Sequence, residues 1–237
     1  MLGSRLWYVG HMVLKAAKPR KIAARKRIGA AARRAQILSV ASEMFARDGI
    51  DHTSMRKIAA KAGVTAALLY KHFADKDALL MAIGEGFFVK LAAYMEKAAG
   101  SERDPITRLK RQMHAYVTCG IENPREYHLT FMTALPRLKR GNEMKAFRER
   151  ARRGEAIPEG DLKMGMRCFA RLEGAVGAVV QAGQSRFKNV AALSETVWAG
   201  GHGLVSLVIT HDDFGWTKRA ELIDTSIELM LHGLLKK

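Results

Sequence analysis

The chain has 237 residues, 48% of them hydrophobic and 27% charged, with a formal net charge of +17. That length and apolar content allow a full buried core in one or two domains and exclude a disordered chain. Only Cys119 and Cys168 are present, far apart and in apolar surroundings, so neither a disulfide framework nor a paired-cysteine metal site is expected, which fits a reducing cytoplasm.

The charge is unevenly placed. Residues 1–80 hold 16 Lys or Arg against 5 Asp or Glu, whereas residues 81–237 hold 24 against 18. Such a field speeds encounter with phosphate backbones and makes binding salt-dependent, although a basic soluble protein or one adhering to anionic membrane carries the same total. The apolar window Leu6–Leu14 is short, is broken by Gly10 and His11, and lacks a cleavage site before Lys18 and Pro19. It reads as neither signal peptide nor membrane span, and no membrane partner is expected. Residues 1–11 also fit an upstream extension, with Met12 as an alternative start. From Lys15 to Arg34 the chain carries only basic charges, and residues 1–32 are read as a flexible basic arm, either a solvated tail or a segment that lies in a minor groove.

From Ala32 to Asp48, Ile37, Leu38, Ala41, Met44 and Phe45 recur at helical spacing, and Gly49 is a stop signal. The stretch Met55 to Ala74 then reads as two short helices at a tight corner. Ile58, Ala59 and Ala62 are apolar on the first, and Leu68, Leu69 and Phe73 on the second. Gly63 takes positive φ at the corner without steric cost, and Thr65 caps the second helix, giving a helix-turn-helix. Thr53 and Ser54 are cap-type residues at the mouth of the first helix, where free N–H groups meet an anion.

These residues resemble the TetR family of transcriptional regulators. The likeness runs from about Arg33 to Phe87, and its most specific part is Gly63-Val64, Leu69-Tyr70-x-His72-Phe73 and Asp75-Lys76-Asp77-Ala78-Leu79. The resemblance implies an all-α fold: a three-helix helix-turn-helix head over 33–80, joined by a long helix to an effector-binding and dimerisation domain over 81–237. It also implies DNA contacts from Ser54, Arg56, Thr65, Ala66, Leu68, Tyr70, Lys71, His72 and Lys76. Among these, Tyr70, His72 and Lys76 match phosphate-binding positions, while Arg56, Thr65, Ala66, Leu68 and Lys71 match positions that meet base edges. Leu68 departs from the family pattern, where a small or polar residue is usual; it either touches a thymine methyl or packs inward.

Downstream, the long helix is expected from Asp75 to about Ala98, and helices from Pro105 to about Ile121 and from Arg125 to about Ala134, with Asn123-Pro124 and Pro136 as breaks. A charged helix Glu143–Arg153, a loop Gly154–Gly160, a helix Asp161–Gln181 and a final pair, Leu193–Thr210 and Trp216–Leu235, complete the pattern. Gly165, Gly174 and Gly177 read as close helix contact or as space for a ligand. Trp198-Ala-Gly-Gly-His202-Gly203 resembles the C-terminal domain of a TetR subgroup with a Trp-x-x-x-His-Gly signature, which implies that the last pair forms a four-helix bundle with a second copy. The surplus of apolar residues on those helices agrees with a homodimer.

Scattered histidines and the lack of a metal or phosphate-loop motif give no catalytic residue, no metal site and no cofactor, so an enzyme is not expected. Trp198 and His202 share a helix face and read first as packing at a helix junction. Met113, Tyr116, Met132, Met166, Phe169 and Leu172 are candidates to line an apolar effector pocket, with His114, His128 or Arg171 as polar anchors, although methionine stripes more often form core. The sequence thus predicts a regulator, in the repressor sense, released from a palindromic operator by a largely apolar small molecule. The alternative is a sequence-tolerant architectural DNA-binding protein.

Overall fold

The computed structural model describes residues 29–133, 145, 146, 149, 150, 153 and 163–236. The basic arm up to residue 28, most of the expected charged helix Glu143–Arg153 and the loop 154–160 lie outside the described residues. Among the described residues the fold is helical, with one isolated antiparallel bridge between Ser185 and Leu235.

Local chemistry sets the ends of the first helices. Helix α1 (Ala30–Asp48) buries Ile37, Ala41, Met44 and Phe45 and stops at Gly49, whose φ of 81° suits a residue without a side chain. It starts at Ala30, so the last residues assigned to the arm belong to it. Helix α2 (Met55–Lys61) is capped by Ser54, whose Oγ accepts the Lys57 N–H at 3.2 Å. Its other end is a Schellman turn: Gly63, at φ 64°, donates to the Ala60 carbonyl and Val64 to that of Ala59. Thr65 caps α3 (Ala66–His72) through the Leu68 N–H at 3.2 Å. Two seven-residue helices are too short to be stable alone. They persist because Ile58, Leu69 and Phe73 join the α1 stripe in one cluster. Burying each such side chain contributes about 1.5–3 kcal/mol.

Helix α4 (Lys76–Ala99) is capped by Asp75, which accepts the Ala78 N–H at 2.7 Å. Its first half, Leu79, Leu80 and Ile83, completes the head cluster, and its second half, Phe87, Leu91 and Met95, belongs to a cluster in the body. The helix is long and apolar enough to cross a membrane by length and composition, but Leu79, Leu80, Ile83, Phe87, Leu91 and Met95 are buried in the two cores, while Met81 and Val89 are exposed. Asp104 and Pro105 open α5 (Pro105–Glu122). A single turn, α6 (Pro124–Tyr127), then widens into a π-helical turn, His128–Met132, which ends sooner than the sequence suggests. Helices α7 (Met164–Gln181), α8 (Val190–Thr210) and α9 (Arg219–Leu234) finish the body, with α5 packed against all three and against α4. Leu129, from the π turn, lies in the head cluster with Ile37 and Leu80. Head and body therefore share a side chain as well as a helix.

Candidate nucleic-acid interface and ligand cavity

Helix α3 buries only Leu69. Thr65 and Lys71 are exposed, Tyr70 is 51% exposed, and Ala66, Leu68 and His72 are half-buried. The open face thus runs along the whole of the second helix, and the stretch Met55–Ala74 contains no acidic residue. Ser54 and Arg56 are exposed at the start of α2, and together with Tyr70 and Lys76 they line one shallow depression on the head. Lys76 is partly engaged: its Nζ donates to the Ile50 carbonyl at 2.8 Å, pinning the α1–α2 turn to the start of α4. An ammonium has three N–H groups, so this bond leaves others for an anion. Two arginines on α1 brace the head from the side. Arg33 donates to Gln36, which donates to the Ala62 carbonyl at the helix-turn-helix corner, and the Arg34 guanidinium lies 5.0 Å from the Phe73 ring centre.

The body holds a partly open cavity of about 310 Å³ between α4, α5, the π turn, α7 and α8, with Met230 of α9 at its edge. Met113, Tyr116, Met166, Phe169 and Leu172 line it. Met132 and Arg171 do not. The widened turn faces Thr130 and Phe131 into the cavity and carries Met132 past it, while the Arg171 Nη1 turns to α4, donating to the Ala92 carbonyl at 3.4 Å with Glu96 3.8 Å away. His114 faces Asp224 on α9 and His128 is exposed, so neither anchors the cavity. Its polar atoms come instead from Gln112, Tyr116 and Thr130, with the exposed charges of Glu85, Lys163 and Glu195. Among the lining residues that sequence reasoning missed are Phe88, Leu91 and Met95 on α4 and Phe131 on the π turn. Gly165 is both wall and close contact, since a Cβ there would come within 2.9 Å of the Phe88 ring.

Trp198 also lines the cavity, and it opens a hydrogen-bonded chain that explains why Trp and His stand four apart. The Trp198 Nε1–H donates to the Tyr116 hydroxyl at 3.1 Å, Tyr116 and Tyr127 share a bond of 2.9 Å, and the Tyr127 hydroxyl lies 2.6 Å from His202 Nδ1. His202 Nε2 is 3.3 Å from Ser206 Oγ. Tyr127 is fully buried, and burial pushes its hydroxyl and that of Tyr116 up, the latter to about 12. Burial also lowers the His202 pKa, favouring the neutral ring. A neutral imidazole has one donor and one acceptor, so Tyr127 donating to Nδ1 lets Nε2–H donate to Ser206, and the chain runs in one direction from the indole. Close approach is needed around it: a Cβ on Gly120 would come within 2.6 Å of Val205 and 2.9 Å of the Tyr127 ring.

Residues 37–83 match the family described as bacterial regulatory proteins, tetR family, and residues 109–234 match the one described as tetracyclin repressor-like, C-terminal domain. The chain is 36% identical over 78 residues to the HTH-type transcriptional repressor KstR2 of Mycobacterium tuberculosis, covering 33% of this chain and 39% of that one. It is 31% identical over 99 residues to the HTH-type transcriptional activator FasR of Mycolicibacterium smegmatis, covering 42% of this chain and 45% of that one. The chain thus aligns with less than half the length of these curated relatives. Among solved structures, that of the TetR family transcriptional regulator PfmR from Thermus thermophilus shares the fold, with a TM-score of 0.62, 24% identity and coverage of 85% of this chain and 97% of that one. The second of the two family matches alone takes in more than half of the chain, and with the helix-turn-helix match ahead of it the conclusion is that this protein belongs to the TetR family of transcriptional regulators.

Proposed function

We propose that the chain acts as a homodimer that reads a palindromic operator with α3 and represses transcription until a small, largely apolar effector enters the body cavity. The observation that carries the reading is the open face of α3, which buries Leu69 alone and presents Thr65, Tyr70 and Lys71 in a stretch free of acidic residues. In this reading Arg56, Thr65, Ala66, Leu68 and Lys71 meet base edges, and Ser54, Tyr70, His72 and Lys76 hold phosphates and so fix the register. The exposed Leu207 on α8 and Leu229 on α9 support a pairing of those helices with a second copy. A symmetric pair sets its recognition helices about 34–36 Å apart, one DNA turn.

Release requires the effector to bind the form unable to span two half-sites better than the DNA-bound form. Support for that coupling comes from α6 and the π turn that continues it: Phe131 faces the cavity, Tyr127 belongs to the hydrogen-bonded chain, and Leu129 sits in the head core. The test is to sequence the fragments that the protein retains from its genomic DNA and then challenge one such complex with excess random duplex. Survival of a single palindromic complex supports the reading. Equal affinity for every duplex replaces it with a DNA-coating role.

A further inference from the structure

The cavity wall is apolar except for three exposed charges, Glu85, Lys163 and Glu195, and a few neutral groups, and one of the neutral groups is out of place. Gln112 is only 4% exposed, lines the cavity, and its Oε1 is buried without a hydrogen-bond partner in the protein. A buried amide left unpaired costs about 1–3 kcal/mol, which a leucine or methionine at the same place avoids. One helical turn further along α5, on the same face, stands Tyr116, whose hydroxyl already accepts the Trp198 indole N–H and bonds to Tyr127. Thr130, also buried and polar in the wall, is bonded to the Glu126 carbonyl at 2.6 Å.

We propose that the effector carries an uncharged group that both donates and accepts hydrogen bonds, a carboxamide or a hydroxyl, and that Gln112 with Tyr116 holds it within the apolar cavity. The inference rests on the cavity being the effector site. A carboxamide gives an N–H to Gln112 Oε1 and takes one from its Nε2, completing the amide whichever way it is turned. A carboxylate has no hydrogen to give and must shed its water among groups that carry no compensating charge. Among the described residues of the wall the charged groups are Lys163, Glu85 and Glu195, all exposed, so their charges give a buried anion no net positive field. At roughly 30 Å³ per water-sized unit the cavity suits a ligand of about ten non-hydrogen atoms.

Octanamide, octanoate and butylbenzene are each of about that size, and calorimetric titration of the full chain at neutral pH separates them. Octanamide is expected to bind about tenfold tighter than either, the factor that one net hydrogen bond supplies. Gln112→Leu should remove that advantage, leave butylbenzene binding as tightly or more so, and keep or raise the thermal midpoint of the ligand-free protein, which shows that the variant is folded. Octanoate binding as well as octanamide, or Gln112→Leu retaining the octanamide preference, overturns the polar anchor and leaves the effector cavity standing. Failure of all three probes to bind overturns the cavity as an effector site, and the anchor with it.

Discussion

The head and the body of this chain are packed to different ends. In the head, Ile37, Ile58, Leu69 and Leu79 are fully buried in one cluster, and the candidate contacts with DNA point outward from it. In the body, helices stand around a cavity of about 310 Å³, and the groups of chemical interest point inward. A surface that must meet a rigid duplex needs a backbone that does not give, which close packing supplies. A site that must change on occupancy needs space and a second arrangement of its contacts. The glycines follow the same division: Gly63 shapes the corner that aims α3, whereas Gly120 and Gly165 let helices close around the cavity.

Truncating a leucine in each region is the largest way to test this contrast. Leu69→Ala removes a side chain with no exposure from the centre of the head cluster and should cost about 3–5 kcal/mol, as for well-packed core leucines. Leu172→Ala enlarges a cavity that already exists, so fewer contacts are lost and about 2 kcal/mol or less is expected. Urea denaturation measures both. Equal losses would mean that the body is packed as tightly as the head.

A second test removes one atom. Tyr127→Phe takes away the hydroxyl between Tyr116 and His202 and leaves both short of a partner, so about 1–3 kcal/mol of stability should be lost without any change in core volume. In the head the comparable deletions act on DNA and leave stability alone. Lys71→Ala should weaken the preferred operator by about 1–3 kcal/mol more than random duplex. Tyr70→Phe should weaken both alike, by about 1 kcal/mol for one phosphate contact. Fluorescence anisotropy against specific and random duplexes reads the difference, and the reverse ranking would exchange the roles of the two residues.

The same contrast decides what is legible in the amino-acid sequence. Ser54, Thr65, Asp75 and Pro105 mark helix starts, and Gly49, Gly63 and Gly100 mark stops, because caps and positive φ are set by neighbours in the chain. The head is built almost wholly from such local signals. The hydrogen-bonded chain of the body is not, since its bonds join Tyr127 to His202 across 75 positions and Trp198 to Tyr116 across 82. Spacing alone therefore makes Trp198 and His202 packing residues and gives no hint of Tyr127. It misplaces Arg171 and Met132 for a related reason: a helix face is periodic, but which neighbour it meets depends on the crossing of α4 and α7 and on a π turn that shifts the register by one residue.

The smallest effect expected is a dependence on pH that belongs to the body alone. Burial holds the His202 pKa below its ordinary value, and the polar groups at its ring nitrogens, Tyr127 and Ser206, are neutral. Between the folded and the unfolded pKa the unfolded chain binds more protons at this residue, so stability rises with pH across that window. The contribution is complete above the ordinary histidine range and is lost as pH falls through the folded value. His202→Gln should therefore flatten the slope of stability against pH on the acid side of neutrality, read as the difference between wild-type and variant urea midpoints at each pH. If His202→Gln left the slope as it was, the titrating group would lie elsewhere, and the assignment of the pH response to the buried chain of the body would have to be redrawn.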